Sequence, residues 1–323
     1  VPERCERALV TGGCGFVGSH LCEQLLDAGT AVVALDNFAT SAPDNVARLL
    51  DRPEFALVQH DVTEPLPAVG SFDVVFHLAS AASPPDYLRL PIETLRAGSL
   101  GTANALEVAE RQRARFVLAS TSEVYGDPAV HPQPEDYWGY VNPVGPRSVY
   151  DEAKRYAEAL TMAFRRELGV NTGIARIFNT YGPYMRTDDG RMVPTFIGQA
   201  LSGAPLAIAG TGEQTRSLCY VEDTVRGLLA LAATDHPGPV NIGNPEEVSV
   251  RSLAEEIRSV IGSRSTVQYV EGAIDDPQRR CPDISLARRE LGWWPVVTRS
   301  EGLRRTIDWF AWRAAEPAKE SLR

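Results

Sequence analysis

Short apolar runs alternate with long amphipathic helices through the first half of this 323-residue chain, and this limits the fold more than any other feature. RALVTG, AVVALD, FALVQHD, FDVVFHLAS, RFVLASTSEVYG and NTGIARIFNTYG read as strands. FVGSHLCEQLLDAG, IETLRAGSLGTANALEVAERQR and VYDEAKRYAEALTMAFRREL read as the helices between them. Buried strands joined by helices imply a parallel sheet covered on both faces.

The junction between the first strand and first helix reads VTGGCGFVGSH and places Gly12, Gly15 and Gly18 where the chain must turn tightly. Glycines here let the backbone approach a pyrophosphate, and the helix N-terminus that follows supplies N–H groups and a positive dipole end. Phe16 and Val17 lie in the same turn. Asp36 ends the second strand at the spacing of a ribose-binding carboxylate, with Asn37 and Phe38 following it. A carboxylate there accepts from both ribose hydroxyls and repels a 2′-phosphate, which favours NAD over NADP. Asp61, followed by Val62, ends the third strand; it either accepts from the adenine amino group or caps the next turn. Leu78, Ala79 and Ser80 end the fourth, where small residues allow a cofactor close approach. The expected fold is α/β: a Rossmann-type doubly wound parallel sheet with a smaller α/β substrate-binding domain at the C-terminal end.

After about residue 178 the pattern changes. GRMVPTFIGQALSG, VEDTVRGLLALAAT, SVRSLAEEIRSVIG, DISLARRELGW and RSEGLRRTIDWF read as helices, and PLAIAG, PVNIGN and STVQYVEG as strands. The expected division is 1–178 as the nucleotide unit, also receiving about 217–245, then 179–313 as mainly the second unit and 314–323 as a frayed tail.

Net charge −10 argues against a nucleic-acid partner, which calls for clustered positive charge. No stretch approaches the length of a membrane span, and the N-terminus has no signal-peptide pattern. Cys5, Cys14, Cys22, Cys219 and Cys281 are odd in number and form no CxxC pair, which suits a reducing, cytoplasmic setting. The five histidines have no metal-ligand spacing, so no metal is expected.

Of the 32 basic residues, all but Lys154 and Lys319 are arginines, so YDEAK holds the only lysine outside the tail. Tyr150 and Lys154 are spaced i, i+4 on a helix and share a face. An ammonium beside a phenol favours the phenolate, making Tyr150 a usable proton acceptor. Arginine's wide planar fork does not substitute for that compact charge.

With the glycine motif, Thr121, Tyr150 and Lys154 in view, nearly the whole chain resembles the extended short-chain dehydrogenase/reductases. RIFNTYGP and TRSLCYVED look like that family's substrate-side segments. SPPDYLRLPIETL, STSEVYGDP, NPVGPRSVYDEAKR and DGRMVP together resemble, more narrowly, the UDP-glucuronate decarboxylase (UDP-xylose synthase) family. The resemblance implies NAD as cofactor and UDP-glucuronic acid as substrate. Tyr150 takes the 4-hydroxyl proton as C4 is oxidised, Lys154 lowers the tyrosine pKa and binds the nicotinamide ribose, and Thr121 donates to the 4-oxygen. The β-keto acid so formed loses carbon dioxide, C5 is protonated, and C4 is reduced to give UDP-xylose, with some release of the UDP-4-keto-pentose.

By the same resemblance, Pro85, Tyr87, Thr121 and Arg216 stand near the sugar and its carboxylate. Arg216 serves as acid toward C5 through a water or binds pyrophosphate, Asn179 contacts sugar or diphosphate, and Arg191 the nucleotide side. Glu123 organises water near C5 or holds the ring. Ser122 stands where the superfamily's 4,6-dehydratases carry an aspartic acid, and serine is a poor general acid. Ala81 stands in place of a proline, and Tyr184 in place of an arginine. The alternatives are a nucleotide-sugar 4-epimerase, a 4,6-dehydratase and a non-catalytic NAD-sensing protein. The resemblance also implies a homodimer through a four-helix bundle built from helices around 93–113 and 147–168.

Overall fold

The computed structural model describes residues 5–271 and 279–315. In the first half, β1 (Arg7–Thr11), α1 (Phe16–Asp27), β2 (Ala31–Asp36), β3 (Phe55–Gln59), β4 (Val74–His77), α2 (Pro84–Arg89), α3 (Pro91–Arg96), α4 (Thr102–Gln112), β5 (Arg115–Thr121), α5 (Ser148–Leu168) and β6 (Thr172–Ile177) follow in order. Then come β7 (Thr180–Tyr181), α6 (Met192–Ser202), β8 (Leu206–Ala209), β9 (Thr215–Ser217), β10 (Cys219–Tyr220), α7 (Val221–Ala232), β11 (Val240–Ile242), β12 (Glu247–Ser249), α8 (Val250–Ile261), β13 (Val267–Val270), β14 (Arg279–Arg280), α9 (Ser285–Leu291) and α10 (Arg299–Ala315).

Seven strands form one sheet in the order β11-β6-β5-β4-β1-β2-β3, and every pairing in it is parallel. Strand order reverses between β1 and β4, and a crevice opens at the carboxyl ends of strands at such a point. Alternation along β1 feeds two cores. Ala8 and Val10 join Leu21, Leu25, Val225 and Leu228 of α1 and α7 on one face. Leu9 joins Ala105, Leu106, Ala109 and Ala157 of α4 and α5 on the other. Both faces are therefore dry, which explains why the strands read as continuous apolar runs.

The long helix expected over IETLRAGSLGTANALEVAERQR is interrupted by one π turn at Ala97–Gly101. A Cβ on Gly98 would stand 2.7 Å from the Ala153 methyl, so glycine lets this turn press against α5. Residues 314–323 were expected to fray, yet α10 continues through Ala315; 316–323 lie outside the described residues. β11 returns to the large sheet beside β6 although residues 178–239 come between them. A small sheet, β12-β9-β14, forms one wall beyond the crevice and pairs Arg280 with Arg216 in parallel register.

The C-terminal segment is tied to α7 by one fully buried carboxylate. Asp223 accepts from Val296 N at 3.0 Å and Val297 N at 2.8 Å and pairs with Arg226, while Trp293 Nε1 donates to the Asp223 carbonyl at 3.0 Å. Asp223→Ala breaks the half-buried bonds from Val296 N and Val297 N and leaves Arg226 without its buried partner, and is expected to lower unfolding free energy by about 3 kcal/mol. Urea titration checks this; a loss within experimental error would show that the segment is held by packing alone.

Candidate active site

A cavity of about 370 Å³ lies in the crevice, in the size range of small-molecule sites. Its floor is the glycine turn. Gly12 has φ +71°, and a Cβ there would meet Ala79 N at 2.8 Å. A Cβ on Gly18 would stand 2.1 Å from the Gly12 carbonyl oxygen, so no side chain fits between turn and helix. No side chain caps the N-terminus of α1, which leaves its N–H groups for a ligand. The turn thus fits a dinucleotide's phosphates.

Gly12, Gly15, Phe16, Val17, Gly18, Leu78, Ser80, Tyr87, Thr121, Ser122, Glu123, Tyr150, Lys154, Asn179, Arg191 and Arg216 all line this cavity. Seven other candidates lie outside its wall. Asp36 accepts from Cys14 N at 3.0 Å, Phe38 N at 2.9 Å and Ser41 Oγ at 2.7 Å, tying the glycine turn to the loop after β2. Asn37 Nδ2 donates to Asp61 at 2.9 Å, and Asp61 also accepts from Thr63 N and Oγ1, so it caps its own turn. Val62 packs against Gly101, Ala79 against Gly12 and Pro85 against Gly190.

At the end of β5, Lys154 is buried and Nζ donates to the Ala119 carbonyl at 2.9 Å. Burial pulls the ammonium down to about 8, opposed by Glu158. The ammonium lies 5.9 Å from the Tyr150 ring centre. Burial also pushes the Tyr150 phenol up, with Arg191 and a hydrogen bond to Thr121 pulling it back. Burial is thus the largest influence on the phenol, and Arg191, expected on the nucleotide side, acts on it as well. Tyr87 stacks on Tyr150 with ring centres 5.4 Å apart, and Ala81 packs with both.

Sequence reasoning missed the site's principal ionic cluster. Glu123 is gripped by Arg147 Nη2 at 2.7 Å and by Arg280. Burial favours its neutral acid, but Arg280 and Arg147 outweigh that and hold it down to about 2. Arg147 stands three residues before Tyr150 and was legible in GPRSVY. Arg280 carries no local signal, because only the pairing of β14 with β9 brings it here. Tyr184 has φ +67°, packs on His20 and Trp309, and carries the Arg48 guanidinium 4.1 Å above its ring. A cation from another element thus lies on the residue that replaces the expected arginine.

All five cysteines are free, four of them buried. Among the described residues, His131, Glu247 and Cys281 bring donor atoms within 4.8 Å of one another, but Arg279 already donates to His131 and Glu247 there. No described helix is long and apolar enough to cross a membrane.

The sequence profile of the NAD dependent epimerase/dehydratase family matches residues 8–243, and the chain belongs to that family. It is 51% identical over 306 residues to UDP-glucuronic acid decarboxylase 1 of Danio rerio, spanning 95% of this chain and 73% of that protein. The fold matches UDP-glucose 4-epimerase of Thermotoga maritima with UDP-glucose at a TM-score of 0.89 and 27% identity, over 95% of this chain and 99% of that one. It also matches a Bacillus cereus UDP-glucuronic acid 4-epimerase variant carrying a fluorinated UDP-glucuronic acid and NAD, at a TM-score of 0.86 and 28% identity over 95% and 99% of the two chains. The protein is an NAD-dependent enzyme of the extended short-chain dehydrogenase/reductase type.

Because the Glu123 carboxyl titrates below its ordinary 4.5, its contribution to stability is complete above that pH and is lost as pH falls through about 2. Glu123→Gln leaves two arginines without their counter-charge and is expected to cost about 3 kcal/mol near neutrality. The gap from the wild type should narrow progressively below pH 4.5 in denaturant titrations at stepped pH. A gap that does not change with pH would remove the ionised cluster from the account.

Proposed function

We propose that this enzyme is a carboxy-lyase that converts UDP-glucuronic acid to UDP-xylose, with NAD regenerated in each turnover. The observation that carries the reading is one cavity lined by Thr121, Tyr150 and Lys154 and walled by Arg147, Arg191, Arg216 and Arg280. The half-identical UDP-glucuronic acid decarboxylase supports it. The glycine turn and the N-terminus of α1 would hold NAD, which when bound would supply the hydride acceptor and donor for C4.

Tyr150 as phenolate accepts the 4-hydroxyl proton, and Thr121 donates to O4 as it becomes a carbonyl. Lys154 binds the nicotinamide ribose, and its positive charge favours the phenolate. Oxidation makes C6 the carboxylate of a β-keto acid. The C5–C6 bond then breaks, its electron pair enters an enolate across C4 and C5, and carbon dioxide leaves. Glu123, held ionised, orders a water at C5, and Arg216 delivers the proton through that water. Tyr150 gives its proton back to O4 when C4 is reduced. The balance is one proton consumed and one carbon dioxide released, with no net redox change.

Tyr87, Asn179 and Arg191 complete the sugar and diphosphate contacts, with Pro85 supporting the wall behind them. Asp36, Asn37, Phe38, Asp61 and Val62 form the adenosine end of the cofactor site. We assign 1–178 with 217–245 to the nucleotide domain and 179–313 mainly to the substrate domain. Unpaired cysteines suit a cytoplasmic location. Exposed Ile92, Leu95, Leu100 and Tyr156 along α3, the π turn and α5 suit pairing of two copies through a four-helix bundle. Sedimentation equilibrium at micromolar concentration should give twice the chain mass of 35.2 kDa; a monomer would dismiss the bundle.

Purified enzyme given UDP-glucuronate without added NAD should release carbon dioxide and form UDP-xylose, followed by proton NMR. Tyr150→Phe should slow this by about 10²- to 10⁴-fold while leaving dinucleotide binding in place. Formation of UDP-galacturonate with no carbon dioxide would replace the reading with a 4-epimerase.

A further inference from the structure

Three segments of the cavity wall come from distant parts of the chain and meet on one guanidinium. The loop after β2 contributes Thr40 and Ser41, α2 contributes Asp86 with Ser83 before it, and the segment after β7 contributes Arg186. Arg186 Nη2 donates to Asp86 at 2.8 Å and Nη1 to the Thr40 carbonyl at 2.6 Å. Asp86 also accepts from Ser83 Oγ at 2.7 Å and Arg89 at 3.1 Å. Burial opposes its charge, yet Ser83, Arg89 and Arg186 hold its carboxyl below the ordinary range. The Thr40 loop hangs from Asp36 through Phe38 N and Ser41 Oγ. Gly190, at φ +76°, seats the Arg186 segment on Pro85, where a Cβ would come within 2.6 Å of the ring.

The two partners differ in freedom. The Asp86 side chain is 8% exposed and fixed by several donors, whereas the Arg186 side chain is 31% exposed. Arg186 is thus the half that can swing away into water. Beside a local bond from Nε to the exposed Asp188 at 3.2 Å, its two long-range bonds close a bridge between segments that follow β2, β4 and β7, across the same crevice whose floor is the glycine turn.

We propose that Arg186 is a clasp over the dinucleotide groove. Its bonds to Asp86 and Thr40 slow cofactor departure and so retain the reduced form until the sugar is reduced again. The purpose assigned to the clasp rests on the decarboxylase reading; the clasp itself rests on the groove.

The test is the dissociation rate of NADH from the full-length protein, followed by fluorescence after a chase with excess NAD and with no sugar present. Arg186→Met is expected to speed dissociation by at least about tenfold, since charged hydrogen bonds are lost and such changes fall mostly on the off-rate. Arg186→Lys should lie between, because one ammonium does not span both acceptors as the planar fork does. Asp86→Asn combined with Arg186→Met should be no faster than Arg186→Met alone, as for residues acting through one contact. The apo melting temperature should move little, which separates a clasp from a general structural role. Should Arg186→Met fail to fold, Arg186→Lys carries the test.

Wild-type dissociation rates in the folded Arg186 variants overturn the clasp. If those variants still make UDP-xylose, the functional reading survives that failure. Fast, clasp-dependent NADH loss in a protein that leaves UDP-glucuronate unchanged supports the clasp and sinks the functional reading.

Discussion

The site depends on one buried ammonium at the carboxyl end of a parallel strand. Lys154 is held by the Ala119 carbonyl and flanked by Tyr150 one helical turn away. Burying a cation is costly, and the fall of its pKa to about 8 records that cost. The Ala119 carbonyl and the charge of Glu158 offset part of that cost. In the function proposed above, a lysine so placed hydrogen-bonds a ribose and stabilises a phenolate. The same burial that weakens the ammonium also raises the tyrosine.

Around this pair the wall is ionic. Glu123 lies between Arg147 and Arg280, while Arg216 stands in register beside Arg280 on the next strand. Positive charge gathered in a small cavity suits a substrate with a diphosphate and a carboxylate. The ionised glutamate keeps that charge from being uniform. A neutral hexose has no use for this arrangement, although the fold is shared with enzymes that act on one.

Much of this was legible in the sequence, for physical reasons that differ from residue to residue. The strands of the large sheet were plain because both faces are dry, and the glycine turn because nothing larger fits between Gly12 and Gly18. Tyr150 and Lys154 were plain from helical spacing and from the scarcity of lysine. Arg280 was not, since only strand pairing carries it to Glu123 from 157 residues away. Arg186 and Asp86 were silent because an ion pair 100 residues apart leaves no periodic signal. The π turn was hidden because its residues keep helical spacing on either side.

The most direct test of the central claim follows deuterium at C4. UDP-glucuronate labelled there is turned over in ordinary water, and the product is read by NMR and mass spectrometry. Oxidation and re-reduction of the same carbon in one closed site predicts UDP-xylose that keeps its deuterium at C4 and gains a solvent proton at C5. Loss of the label from C4, or carbon dioxide release with no label transfer to cofactor and back, would contradict the account.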